Sequence, residues 1–219
     1  MSPMRLDLRI SDFPTTLLLF PLEQLLLLPE TALPVTLTDP LSLAILDAAL
    51  AGDELLGVLQ ERGPGGGFYS VGCLCHVIDL GRSEEGHKVV LEGLVRFRIR
   101  EELPPDADGI PRASVSYEEF AGDLQAGEEE EPQDLHLDLL KEKVVEFGRK
   151  TFGTAGILES MSPRQVVLFM AQTAPFTPAE KQALLEASGL RELVDRLAQL
   201  LSLNFLTTTP DTSPPSTIN

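Results

Sequence analysis

Four residues near the middle of the chain have side chains that could do chemistry: Cys73, Cys75, His76 and His87. A structural zinc site takes four ligands, commonly as two spaced pairs, and the sequence has no second cluster of cysteine and histidine. Alternation along a strand also places His76 on the face opposite the two cysteines. We therefore interpret the cysteines as core residues and predict no metal ligand in this chain.

A thiol nucleophile is the second chemistry these residues suggest. An antiparallel hairpin could bring His87 against Cys73 or Cys75, which would make the chain a small Cys-dependent hydrolase. Such catalysis needs an activated thiolate, a third group that orients the base, and an oxyanion site. The local sequence supplies none of these, so the hydrolase is the weakest of three functional hypotheses and we predict no catalytic residue.

Three arginines, Arg96, Arg98 and Arg100, recur at every second position and so share one side of a predicted strand. A row of this kind could contact phosphates, which makes an RNA- or nucleotide-binding module the main alternative hypothesis. The formal net charge of −17 opposes it, because such a field repels a phosphate backbone. We interpret the row as a solvated sheet face and expect no nucleic-acid partner.

The glycine-rich segment 63–67 does not form a nucleotide cradle. A phosphate loop needs a lysine followed by serine or threonine after its glycines, and neither follows here. The lysines at 141, 143, 150 and 181 lie on predicted helices, where we interpret them as surface charges. The sequence therefore predicts no cofactor.

The cysteine usage and the hydropathy pattern point to a cytoplasmic protein. Cysteines two apart on one strand face rarely suit disulfide geometry, which favours a reducing compartment. The first ten residues lack the apolar segment of a signal peptide. The apolar run 17–28 is interrupted by Pro21, Glu23 and Gln24 and is shorter than the roughly 20 residues of a membrane helix. We expect no membrane contact.

The first 120 residues have the pattern of a β-rich domain with one helix. Asp39 and Pro40 predict a helix start, as N-cap and first helical residue, and Gly52 predicts its end. Gly93 interrupts a strand, which predicts a bulge or a close backbone approach. The alternating segments predict strands at 15–20, 33–38, 54–60, 69–80, 87–100 and 113–120, with a turn at 81–86.

Residues 121–134 are acidic, contain four successive glutamates, and predict a linker between this domain and a helical bundle over 135–206. Ser162-Pro163 and Thr177-Pro178 predict two of about four helix starts, and Gly189 predicts the end of the helix that begins at Pro178. The tail 207–219 is rich in proline, serine and threonine, which predicts disorder. The sequence thus predicts an α+β protein with two parts.

The order and spacing of several short motifs resemble the N-terminal domain of the Lon protease family. The motifs are Phe20-Pro21-Leu22, Pro29, Pro34, the capped helix from Pro40, Tyr69–Gly72, Glu92-Gly93 with Arg96, the segment 181–186 and Arg196-Leu197. The resemblance covers nearly all of the chain that we expect to be ordered. It implies a PUA-like twisted β-barrel or sheet with one packed helix, followed by a helical bundle.

The resemblance also implies a function, which is recognition of protein substrates or partners without catalysis. The chain ends after the first helical bundle, with no phosphate loop and no Ser/Lys peptidase segment, and it departs from the family pattern at Glu23-Gln24. We expect weak binding of exposed apolar segments in a shallow groove between the sheet and the helices, with protein substrates or a protease as partner. Core burial is the first interpretation of the leucines at 25–28, and an exposed apolar patch is the alternative. The candidate peptide contacts are Leu25, Leu26, Leu27, Phe68 and Tyr69.

Overall fold

The structure, a computed structural model, describes residues 8–22, 24–63, 66–83, 86–124, 141–142, 144–145 and 160–207. These residues form an α+β fold, as predicted. In chain order the elements are β1 (Thr16–Leu22), β2 (Ala32–Leu37), α1 (Pro40–Leu50), β3 (Leu55–Gln60), β4 (Val71–Ser83), β5 (Gly86–Leu103), β6 (Arg112–Ser116), α2 (Pro163–Thr173), α3 (Pro178–Leu185) and α4 (Leu190–Thr207). Two 3-10 segments, Ile10–Asp12 and Glu118–Leu124, flank the sheet in the sequence.

The six strands form one twisted sheet in the order β2-β5-β4-β3-β1-β6, and β6 also pairs with β5. The sheet therefore curls back towards itself. The strand β5 is the longest, with 18 residues, and its hairpin partner β4 lies along one edge. Its other edge is shared, because β2 pairs with residues 87–92 and β6 pairs with residues 98–103. A gap between β2 and β6 is left beside residues 93–97 of β5.

Gly93 lies at the start of this gap and has both properties that the sequence predicts. The pairing of β4 with β5 shifts register there, since Leu74 faces Val95 and Cys75 faces Gly93. The backbone of Gly93 donates a hydrogen bond to Thr31 and accepts one from Glu30, both in the loop before β2. A Cβ atom at residue 93 would lie 2.2 Å from the carbonyl oxygen of Leu28, closer than packed atoms can approach.

Two apolar cores lie on the two sides of the curled sheet. One combines β-strand residues such as Leu74 and Phe97 with the helices α2, α3 and α4. The other packs Ile45 and Leu46 of α1 against strands β1 to β5. The loop after β1 serves both, because Leu26 and Leu28 belong to the first core and Leu27 to the second. The first core is therefore common to the sheet and the C-terminal helices, and the second lies between the sheet and α1.

Several predicted boundaries are wrong by a few residues, for identifiable reasons. β1 continues through Pro21, because β6 pairs only with residues 16–18 and the proline lies where β1 has β3 alone as a neighbour. The hairpin strands continue to Ser83 and resume at Gly86, so the turn is shorter than predicted. Residues after Ser116 leave the sheet and enter the 3-10 segment, and α3 ends at Leu185 instead of Gly189.

The predicted helix starts are confirmed. The Asp39 carboxylate accepts a hydrogen bond from the Ser42 backbone N–H at 2.8 Å. Ser162 with Gln165, and Thr177 with Glu180, form the reciprocal bonds of capping boxes. The predicted linker 121–134 begins inside the second 3-10 segment, and residues 125–140 and the tail from 208 lie outside the described residues. The division into domains 1–120 and 135–206 therefore stays a prediction.

Gly93→Ala tests the close approach. The added methyl group must displace the Leu28 carbonyl, and overpacking of this kind costs about 1–3 kcal/mol or more. The matched change Gly81→Ala, in the same hairpin, meets no atom nearer than 3.9 Å and should stay within about 0.5 kcal/mol of wild type. Urea unfolding followed by circular dichroism measures both. Equal midpoints for the two variants would contradict the close contact.

Candidate functional site

Arg96 joins the sheet to the helices. Its guanidinium makes two hydrogen bonds to the Asp123 carboxylate, from Nε at 2.8 Å and from Nη2 at 2.6 Å. Its Nη1 donates to the backbone carbonyls of Leu185 and Ala187, at and just after the C-terminal end of α3. The Cζ atom of the guanidinium lies 4.6 Å from the centre of the Phe120 ring. The prediction that Arg96 lies on a solvated face is therefore wrong, since only 7% of the residue is exposed.

Asp123 also completes the strand beside Arg96. Its Oδ2 accepts the backbone N–H of Arg96 at 3.0 Å, in the gap where neither β2 nor β6 pairs with β5. One carboxylate thus replaces a missing strand neighbour and neutralises a buried cation. The carbonyls at the end of α3 carry the negative end of the helix dipole, which also favours the guanidinium. The second 3-10 segment and α3 are fixed to β5 by this arrangement.

Lys181 forms a second joint, between α3 and the loop after β1. Its ammonium donates to the carbonyl oxygens of Gln24 at 2.7 Å and Gln172 at 3.5 Å. Only 5% of the residue is exposed, so the prediction that it is a surface charge is wrong. Burial lowers the pKa of Lys181 below its usual value. The neighbouring Gln182 donates from Nε2 to the Val71 carbonyl at 3.2 Å, which ties α3 to the start of β4.

Arg98 and Arg100 face carboxylates from the 3-10 segment. Arg98 makes two hydrogen bonds to Glu119, at 2.6 and 2.7 Å, and these bonds lower the pKa of that carboxyl. Arg100 lies 3.6 Å from Glu118. With Arg96 on Asp123, all three arginines of the row have an acidic neighbour. The row therefore offers phosphates much less positive potential than the sequence suggests.

Cys73 and Cys75 lie in the core, as predicted, and are 1% and 0% exposed. Burial raises the pKa of both thiols, which keeps them protonated near neutral pH. The hypothesis that His87 meets a cysteine across the hairpin is wrong. His87 pairs with Arg82, whereas Cys73 faces Arg96 and Cys75 faces Gly93. His76 instead places its Nε2 3.2 Å from the carboxylate of Glu54, the residue just before β3.

The candidate peptide contacts divide into buried and accessible residues. Leu26 and Leu27 are 1% and 2% exposed, so core burial is the correct interpretation for these two and they offer no surface to a peptide. Leu25 is 37% exposed. Phe68 and Tyr69 are partly exposed, and the guanidinium of Arg62 lies 5.5 Å from the Tyr69 ring centre. Peptide contact at Leu25, Phe68 and Tyr69 stays a prediction.

Leu25, Phe68 and Tyr69 belong to the same end of the sheet. Leu22 at the end of β1 pairs with Gln60 at the end of β3, and the Tyr69 backbone N–H donates to the carbonyl of Gln60. The chain therefore leaves β1 and β3, and enters β4, at neighbouring points. Lys181 reaches this end of the sheet through Gln24, so α3 borders the surface. We call Leu25, Phe68 and Tyr69 with this border the sheet-end surface.

Two features are absent from the described part of the chain. No group of three or more His, Cys, Asp or Glu residues there is arranged to hold a metal ion. No helix among the same residues is long and apolar enough to cross a membrane. The geometry defines a mixed-sheet α+β domain in which the buried side chains of Arg96, Lys181 and Gln182 join its own elements.

The chain belongs to the family of the ATP-dependent protease La (LON) substrate-binding domain, whose model matches residues 16–203. The resemblance seen in the sequence is thereby confirmed. Lon protease 4 of Sorangium cellulosum is 28% identical over 201 residues, which cover 88% of this chain and 23% of that protein. Lon protease 2 of Myxococcus xanthus is 27% identical, with 88% and 25% covered. The chain thus spans about a quarter of the length of these relatives.

Solved structures show the same fold. The N-terminal domain of a Mycobacterium avium complex Lon protease superposes with a TM-score of 0.59 at 17% identity, covering 85% of this chain and 96% of that one. A Lon N-terminal domain protein from Xanthomonas campestris superposes with a TM-score of 0.60 at 20% identity, covering 86% and 98%. The match extends over most of this chain in both cases.

Arg96→Ala should destabilise the protein strongly. It leaves the Asp123 carboxylate without its cation and two carbonyls without a donor, and breaking a buried pair costs about 3–5 kcal/mol. Arg96→Lys should recover little, because an ammonium cannot reproduce the forked contact. Arg98→Ala is the matched control on an exposed pair and should cost about 1 kcal/mol or less. Urea unfolding midpoints compare the three, and similar losses at 96 and 98 would contradict a central role for Arg96.

The two thiols should be unreactive in the folded protein. At pH 8 we expect Ellman's reagent to modify neither Cys73 nor Cys75 over minutes, because both are buried and their raised pKa values keep the thiolate fraction small. Both should react at once in 6 M guanidinium chloride. A thiol that reacted rapidly in the native protein would restore the Cys-dependent hydrolase as a hypothesis.

Proposed function

We propose that this chain recognises segments of other proteins, unfolded or with exposed apolar side chains, and that it contributes binding and not catalysis. The observation that carries the proposal is the match of residues 16–203 to a family described by substrate binding. The partners are protein substrates or a protease that receives them. A cytoplasmic location belongs to the same proposal and is supported by two free, buried thiols.

The sheet-end surface is the proposed place of contact. Leu25 is exposed, and the partly exposed rings of Phe68 and Tyr69 give large contact areas with few rotatable bonds. The neighbouring Gln24 is held to α3 by Lys181, which keeps the loop in place before a ligand arrives. A surface of three accessible apolar residues supports weak binding, suited to many different unfolded segments.

The polar side chains favour binding over chemistry for a physical reason. A nucleophile or a general base must be free to meet a substrate, and its pKa must lie near the working pH. The thiols are buried with raised pKa values, and the guanidinium of Arg96 is held by Asp123 and the end of α3. These groups are committed to the fold.

We expect the purified chain to bind reduced, carboxymethylated α-lactalbumin, which is unfolded, and to bind native α-lactalbumin far more weakly. Leu25→Ser and Tyr69→Ser should each weaken this binding about tenfold, which corresponds to about 1.4 kcal/mol. Leu203→Ser, on α4, removes a leucine that is 60% exposed and serves as the matched control. Fluorescence anisotropy of the labelled ligand measures all four proteins.

Two results would count against the proposal. Equal affinity for native and unfolded α-lactalbumin would refute recognition of unfolded segments. If neither Leu25→Ser nor Tyr69→Ser changes the affinity for unfolded α-lactalbumin, the proposed function stands. The sheet-end surface is then excluded as the binding site. The circular dichroism spectrum of each variant confirms that the fold is intact before either conclusion is drawn.

A further inference from the structure

The second half of β4 extends beyond its neighbour β3. The two strands pair from Val58 with Cys73 to Leu55 with His76, and the last hydrogen bond runs from the Val77 N–H to the Glu54 carbonyl at 3.0 Å. β4 then continues to Ser83, paired with β5 on its other side. Among the described residues, no strand pairs with the β3-facing edge of β4 after Val77. We call residues 78–83 the open edge.

A bulge marks the point where the two strands separate. Val77 faces Leu91 and Asp79 faces Val90, so Ile78 is the additional residue. A bulge of this kind bends its strand and turns it away from a neighbour. Beyond it the pairing of β4 with β5 is regular from Asp79 to Ser83. The open edge is therefore a regularly paired length of strand and not a frayed end.

The first part of the open edge is accessible and carries two large apolar side chains. Residues 78–81 are all exposed, and Ile78 and Leu80 are 43% and 47% exposed. Leu80 lies opposite Val89, which is 1% exposed, so both side chains leave the same face of the sheet. Leu80 thus extends the apolar face of the core under α1 towards the edge of the sheet and is itself exposed there.

Natural sheet edges are normally protected by prolines, charged side chains, bulges or a covering segment, because an unpaired edge is a template for another strand. Asp79 is an exposed charge on this edge. The sequence of residues 78–83 contains no proline, and the bulge lies before the regular stretch and not within it. We propose that the open edge binds an extended segment of a partner protein as an added β-strand. This inference rests on the proposed function and adds to it a second place and a mode of contact.

The charges around the edge define the chemistry of the segment. Among the residues here whose side chains the structure describes, Asp53, Glu54 and Asp79 are acidic and Lys88 is basic. Asp53 and Glu54 lie where β3 begins, beside the last paired residue of β4, and Asp79 is exposed on the edge itself. The segment therefore has apolar side chains at alternate positions, to meet Leu80, and at least one lysine or arginine.

Two other occupants fit this edge less well. A second copy of the chain would bring the same acidic groups against each other, in a protein whose formal net charge is −17. The chain's own segment 208–219 contains prolines at 210, 214 and 215, which cannot donate backbone hydrogen bonds to a strand. A basic, apolar segment of another protein meets neither obstacle.

Backbone N-methylation of a probe peptide tests the mode of contact. The probe is a labelled peptide with alternating valine and threonine between terminal lysines. Only one edge of an added strand bonds to β4, so N-methylation of the residues along one edge should weaken binding at least tenfold, whereas methylation along the other should have little effect. Equal effects of the two methylation patterns would overturn the proposal. Replacing the lysines by glutamates should also weaken binding at low salt.

Leu80→Lys tests the place of contact, because a lysine on an edge strand is a common protection against pairing. We expect about a tenfold loss of affinity for the peptide and little change in thermal stability, since Leu80 is already 47% exposed. Leu203→Lys on α4 is the matched control and should bind like wild type. An unchanged affinity for Leu80→Lys would overturn the proposal.

The remaining outcomes separate this inference from the proposed function. If wild type binds unfolded α-lactalbumin but shows no asymmetry between the two methylated peptides, the function stands and strand addition is refuted. Dimers that dissociate in Leu80→Lys, seen by light scattering, would identify a second copy as the occupant and refute the inference. Deletion of 208–219 that raises peptide affinity would refute it in favour of the chain's own tail.

Discussion

The structure depends on one buried ion pair between two segments that are far apart in the sequence. Arg96 and Asp123 are 27 residues apart, and Arg96 reaches carbonyls 89 and 91 residues away at the end of α3. The pair lies beside residues 93–97 of β5, where the edge opposite β4 pairs with neither β2 nor β6. The Asp123 carboxylate therefore replaces a sheet hydrogen bond and also balances the charge of Arg96. Three elements meet at a single guanidinium, which explains why an arginine and not a lysine suits the position.

Local signals made much of the fold predictable. Helix starts were found from Asp39, Ser162 and Thr177 because a cap is complete within four residues of sequence. Gly93 was recognised because a glycine inside an apolar strand needs a structural reason, and the bulge and the Leu28 carbonyl together supply it. The family resemblance carried the rest of the architecture, since its motifs fix turns and strand ends.

The errors have the opposite origin, because they concern residues whose environment is set by distant partners. Arg96 follows the same alternation as Arg98, yet one is buried and the other is half exposed, and only the position of Asp123 and α3 separates them. Lys181 follows Glu180 on a capped helix, a pattern typical of a surface residue, until the loop at Gln24 closes over it. No local pattern in this sequence distinguishes such residues. The structure alone shows that residues 93–97 of β5 lie between the segments that pair with β2 and with β6.

The two proposed surfaces lie at opposite ends of β4, and this separation favours an unfolded ligand. Tyr69 precedes the strand and Ile78 begins the open edge, nine residues later, which is roughly 30 Å along an extended chain. The helices are fixed to the Tyr69 end through Gln182 on Val71, whereas residues 78–81 at the far end of β4 are exposed. An extended segment of about ten residues can reach from one surface to the other. A compact folded domain presents few segments of that length, whereas an unfolded chain presents many, so two contacts at this separation would select for unfolded partners.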